Sequence, residues 1–191
     1  MFVLISPEYP GDLVVIMKRW RREFFGPGRK KRRRKSQTPH EYHDAEAPRA
    51  QRAFVLNQLG RVGVGAWAAL KRGYDSREYP YVIADLIRLA GVTDEDTVVL
   101  DEVDNGRHRA DYREMIRMIT GIPALRIQWA KSVDRKEIQV CDALAGAIGR
   151  GYAGLPESCM GRAVGLLAVA PVIIGPNEYR LRRFGGGRRC Q

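Results

Sequence analysis

Residues 97–151 read TVVLDEVDNGRHRADYREMIRMITGIPALRIQWAKSVDRKEIQVCDALAGAIGRG, and this stretch decides the fold class. Thr97-Val98-Val99-Leu100 is a compact β-branched run ending in Asp101, which predicts a strand. Arg107 to Thr120 carries Tyr112, Met115, Ile116 and Ile119 at helical spacing and is stopped by Gly121 and Pro123. Leu125 to Ala130 alternates as a strand does, and Glu137 to Arg150 is a third strong helical segment. Strands alternating with helices predict an α/β layer architecture.

The alternation extends upstream. Phe2 to Ile5 predicts a short strand, closed by Pro7, Pro10 and Gly11. Asp12 is expected to cap a helix running to Phe25, with Leu13, Ile16, Met17, Trp20 and Phe24 on one face. Pro48 to Leu59 predicts a helix before Gly60, and Val64 to Leu70 a strand. Tyr81 to Ala90 has a helical stripe of Val82, Ile83, Leu86 and Ile87, ended by Gly91. Downstream, Leu166 to Ile174 and Tyr179 to Phe184 are expected to form a hairpin across Gly175-Pro176-Asn177. The expected organisation is therefore one domain over residues 1–155, an extension over 156–184 and a disordered tail over 185–191.

The chain has 191 residues, enough for one domain with a real core. Its 33 Lys plus Arg against 22 Asp plus Glu give a net charge of +11. Such a surface attracts polyanions, of which nucleic acid is the commonest. The excess is concentrated in Arg29, Lys30, Lys31, Arg32, Arg33, Arg34 and Lys35, a run that cannot be buried and predicts an exposed loop able to hold phosphates without reading sequence. Three unpaired-looking cysteines suggest neither a disulfide framework nor a zinc knuckle. The first ten residues are a poor signal peptide, and the longest apolar run, Ala163 to Gly175, is interrupted by Pro171 and too short for a bilayer. A soluble, cytoplasmic protein with no membrane partner is expected.

Three acidic points invite chemistry. The segment from Glu137 to Arg150 shows almost no polar face, so it reads as buried nearly all round, and a carboxylate at Asp142 must then be hydrogen-bonded, ion-paired or metal-bound. Asp101 ends a strand, where α/β sheets project functional side chains, although an ordinary turn aspartate stands there equally well. Pro39-His40-Glu41-Tyr42-His43-Asp44 puts Glu41 and His43 on one side of an extended stretch; its other reading is a solvated helix cap. Together Glu41, Asp101 and Asp142 suggest oxygen ligands for Mg2+ or Mn2+. Two such ions about 4 Å apart promote phosphodiester hydrolysis.

Val98-Val99-Leu100-Asp101, then Lys131-Ser132, then Ile138-Gln139-Val140-Cys141-Asp142-Ala143-Leu144-Ala145-Gly146-Ala147 resemble, in order and spacing, the second half of a ribonuclease-H-like family known as domain of unknown function 3800. Glu41-Tyr42-His43 is similar to the family's Glu-x-His element. The resemblance covers roughly Phe2 to Gly151. It implies a mixed sheet flanked by helices, an acidic centre and nuclease-like activity. The family's opening strand, ending in Asp-Glu-Ser-Gly, has no counterpart here, and Phe2 to Ile5 is similar to its second strand. Either that strand precedes Met1, or the domain has lost a ligand.

Two functions follow as expectations. The first is a metal-dependent nuclease with Asp101 and Asp142 as ligands, Glu41 as ligand or water-orienting base and His43 as auxiliary. The alternative is a catalytically incomplete nucleic-acid-binding protein of the same fold. Losing a strand also leaves an unpaired sheet edge, which predicts self-association.

Overall fold

In the computed structural model, residues 2–26, 42, 47–71, 75–102, 108–152 and 160–174 are described. They form strands β1 (Phe2–Pro7), β2 (Val64–Lys71), β3 (Thr97–Asp101), β4 (Arg126–Ala130) and β5 (Val172–Ile174). The helices are α1 (Pro10–Phe25), α2 (Arg49–Leu59), α3 (Tyr79–Leu89), α4 (Arg109–Thr120), α5 (Lys136–Tyr152) and α6 (Met160–Gly165).

The element boundaries follow local chemistry. Pro10 opens α1, where its missing N–H costs nothing, so the helix begins earlier than the expected Asp12 cap and Asp12 instead lies in the first turn. The last turn of α4 closes on Gly121, whose φ of 74° is a left-handed conformation that glycine adopts without a Cβ clash. Its N–H donates to the Arg117 carbonyl.

The fold is α/β, but the sheet is divided. β1 pairs antiparallel with β2, from Phe2↔Ala69 to Pro7↔Val64, and β5 adds to β2 in parallel. β3 and β4 form a separate parallel pair, Thr97↔Arg126 to Asp101↔Ala130. Among the described residues, β1 and β3 each carry one edge without a strand partner. The single mixed sheet expected from the sequence is therefore two sheets.

Side-chain alternation shows that the two sheets share one layer. Val3, Ile5, Ala66 and Ala68 pack with α1, α2 and α5, around Leu13, Ile16, Trp20, Leu56, Leu144 and Ile148. Phe2 and Leu4 face the other way and join Val98, Leu100 and Ile127 against α3 and α4, at Tyr79, Ile83, Ile87 and Ile116. Helix α5 touches both β1 and β3. Helices thus cover both faces, and Phe2 and Leu4 bridge the two sheets. Truncating a fully buried residue such as Leu144 costs about 2–5 kcal/mol.

Residues 160–174 pack onto the same body, with Ala163 in the core beside α5 and Ile174 against Val82 and Leu86. Of the expected first hairpin arm, Leu166 to Ile174, only Val172–Ile174 is a strand, and it pairs with β2 in parallel; the second arm, Tyr179 to Phe184, lies outside the described residues. At the end of β2 the Lys71 ammonium is fully buried and pairs with the Glu78 carboxylate at 3.1 Å.

Candidate acidic site

Asp101 is the last residue of β3. Val98 and Leu100 point to α3 and α4, so alternation turns Asp101 to the α5 side. It is exposed, and its carboxylate accepts the backbone N–H of Glu102 at 2.9 Å. The same N–H is 3.0 Å from the Ala130 carbonyl, which extends the β3–β4 ladder by one step. The Glu102 side chain pairs with Arg109 at the start of α4.

Helix α5 corrects one expectation. It is buried along one stripe, Ile138, Gln139, Val140, Ala143, Leu144, Ala147 and Ile148, and not all round. Asp142 lies on the outer face and is exposed. That face reads as apolar because it carries Cys141, Ala145 and Gly146, small residues that cover little area. Burial therefore does not make Asp142 unusual; its neighbours do.

The Cys141 thiol connects the acidic groups. Its pKa is pushed up from 9.0 to about 12, first by desolvation, then by repulsion from Asp142, Glu137 and Asp101. A thiolate is disfavoured near negative charge, and α5, which carries Asp142, is in contact with β3, which carries Asp101. Glu137 is held by Arg135, Nε to Oε1 at 2.7 Å. The protonated thiol is a poor nucleophile and a poor metal ligand at neutral pH.

Gln139 anchors this region from within. It is 2% exposed; its Oε1 accepts the Tyr42 N–H at 3.1 Å and its Nε2 donates to the Ser132 carbonyl at 2.7 Å. Tyr42 is buried edge-on against Trp20, with ring centroids 5.3 Å apart. The residue between Glu41 and His43 is thus fastened to α5 one turn before Asp142. Glu41 and His43 themselves lie outside the described residues, as does the basic run from Arg29 to Lys35.

Gln139, in a segment read from the sequence as buried nearly all round, is a core clamp. The spacing Gln-x-x-Asp, which puts both residues on neighbouring faces of one helix, was the available signal. Among the described residues, no group of three or more His, Cys, Asp and Glu side chains is close enough to hold a metal. No helix of the described residues is long and apolar enough to cross a membrane.

No family model, curated protein or solved structure matches this chain. The resemblance drawn above rests on its own motif residues.

Proposed function

We propose that this chain is a ribonuclease-H-like, metal-dependent nuclease acting on nucleic-acid phosphodiesters. The observation that carries this reading is that Asp101, at the end of β3 on its α5 side, and Asp142, exposed on α5, come from two elements in contact. Tyr42, bound to Gln139, supports bringing Glu41 and His43 to the same place.

Two exposed carboxylates suit a hard divalent cation that keeps several of its waters, so Asp101 and Asp142 would hold Mg2+ or Mn2+, with Glu41 completing the set. When bound, such an ion supplies an activated water and charge neutralisation at the scissile phosphate. The chain's own contribution is to present the carboxylates on rigid elements. Glu102 steadies Asp101 through its N–H, and Gln139 holds Tyr42 through its N–H. The surplus of cations holds the polyanion and makes binding salt-dependent.

The test is Mn2+- or Mg2+-dependent cleavage of single- and double-stranded DNA and RNA by purified protein. Asp101→Asn and Asp142→Asn should each abolish cleavage and the metal-induced rise in Tm. Cleavage undiminished in both variants removes the assignment.

A second reading, nucleic-acid binding without catalysis, is favoured by the absence of a three-ligand group among the described residues. Salt-dependent binding with no hydrolysis and no metal-induced change in Tm selects it.

A further inference from the structure

Three rings stack in series from the core to the surface, and a fourth, from the half-buried Trp129, meets them at a tilt. Trp129 of β4 lies 6.1 Å from Tyr79 of α3, with an interplanar angle of 31°. Tyr79 stacks on Tyr112 of α4 at 5.7 Å and 24°. Tyr112 in turn stacks on His108 at 5.6 Å and 29°. Tyr79 and Tyr112 are buried, whereas the His108 side chain is 45% exposed, so the series ends in a ring open to solvent.

Three N–H donors around this stack lack acceptors. The Nε atoms of Arg109 and Arg113 and the indole Nε1 of Trp129 are shielded from water and have no hydrogen-bond partner among the described residues. A shielded donor without an acceptor is costly, and few are tolerated in a folded protein. Arg109 and Arg113 are four residues apart and share one side of α4. Arg109 also pairs with Glu102, next to Asp101, so its guanidinium lies between the stack and the candidate acidic site.

The exposed imidazole offers a planar group a ring to stack on, and the Arg109 side chain next to it in sequence, 39% exposed, offers an anion a cation. A nucleotide unit supplies both. We infer that His108 is a stacking residue for an unpaired nucleobase, with Arg109 and Arg113 taking the adjoining phosphate. This rests on the nucleic-acid reading above and narrows its substrate to single strands, because a base within a duplex is covered on both faces by its neighbours. Asp111 lies 3.9 Å from the imidazole Nδ1, and the His108 side chain is 45% exposed.

The experiment is fluorescence anisotropy with a labelled single strand of about twelve nucleotides, long enough for one binding groove. The same strand with abasic sites and the corresponding duplex serve as comparisons. His108→Ala should weaken binding of the intact strand about tenfold, the size of one lost base stack. His108→Phe, which keeps a ring against Tyr112, should restore it and controls for a folding defect. The abasic strand should bind parent and His108→Ala protein equally, and the duplex should be indifferent to both variants. Equal loss on intact and abasic strands, or no loss on the intact strand, overturns the stacking role. Either result leaves the Asp101 and Asp142 cleavage test unaffected, whereas a parent protein that binds no strand at all overturns both readings.

Discussion

Replacing Asp142 by asparagine turns Cys141 into a gauge of the acidic site. With a pKa of about 12, the thiol is ionised to the order of one part in ten thousand at pH 8. Desolvation is the largest cause of that value and survives the substitution, while repulsion from Asp142, the largest Coulombic contribution, does not. Each unit by which the pKa falls raises the thiolate fraction tenfold, and the lower basicity offsets about half of the gain in logarithmic terms. Iodoacetamide alkylation at Cys141, followed on the isolated peptide by mass spectrometry, should therefore accelerate roughly threefold per unit. Asp142→Asn should exceed Asp101→Asn, and Mn2+ bound at the carboxylates should imitate both. The same shift sets a stability window. The folded pKa is raised, so the contribution is complete below pH 9.0 and is lost as pH rises towards 12. Three units correspond to at most about 4 kcal/mol. Cys141→Ser should remove this alkaline loss in urea denaturation measured against the parent. If neither aspartate variant alters the rate profile of Cys141, the carboxylates do not gather around the thiol, and the site as drawn is wrong.

Other consequences are measurable by simpler means. Glu78→Gln should destabilise the protein by about 3–5 kcal/mol in urea denaturation, because it strands the fully buried Lys71 ammonium; Lys71→Met combined with Glu78→Leu should recover most of the loss. Gln139→Leu should cost about 1–3 kcal/mol by leaving the Tyr42 N–H and the Ser132 carbonyl unpaired, read as a lowered denaturation midpoint. The unpartnered edges of β1 and β3 should promote association, so light scattering at micromolar concentration is expected to detect species larger than a monomer.

The elements from β1 to α5 were legible in the sequence, whereas α6 was not expected and only Val172–Ile174 of the expected strand Leu166 to Ile174 is a strand; their arrangement was less legible still. Helical stripes such as Val82, Ile83, Leu86 and Ile87, and β-branched runs such as Thr97 to Leu100, signal period and length within a few residues of each other. Pairing depends on contacts far apart in sequence, which is why the division between the β1–β2 and β3–β4 sheets was not visible. Asp142 was misjudged because Cys141, Ala145 and Gly146 count as apolar while standing on the outer face. Asp101 was legible from its place at a strand end. The clamp at Gln139 and the stack from Tyr79 to His108 were not, because each draws its partners from separate elements that only the tertiary fold brings together.

The divided layer also bears on how the molecule breathes. The core face of α5 is committed to the β1–β2 half, through Val140, Ala143, Leu144, Ala147 and Ile148, while Asp101 rides on the β3–β4 half. Asp142 and Asp101 thus sit on different halves, joined through Phe2 and Leu4, through α3 against β1 and β2, and through α5 against β3, and we expect each half to open with its own free energy. Amide exchange should resolve two families of protection, one for each half. A ligand gripped by both carboxylates would bind only when the halves are in register, and would draw the two families towards a single rate.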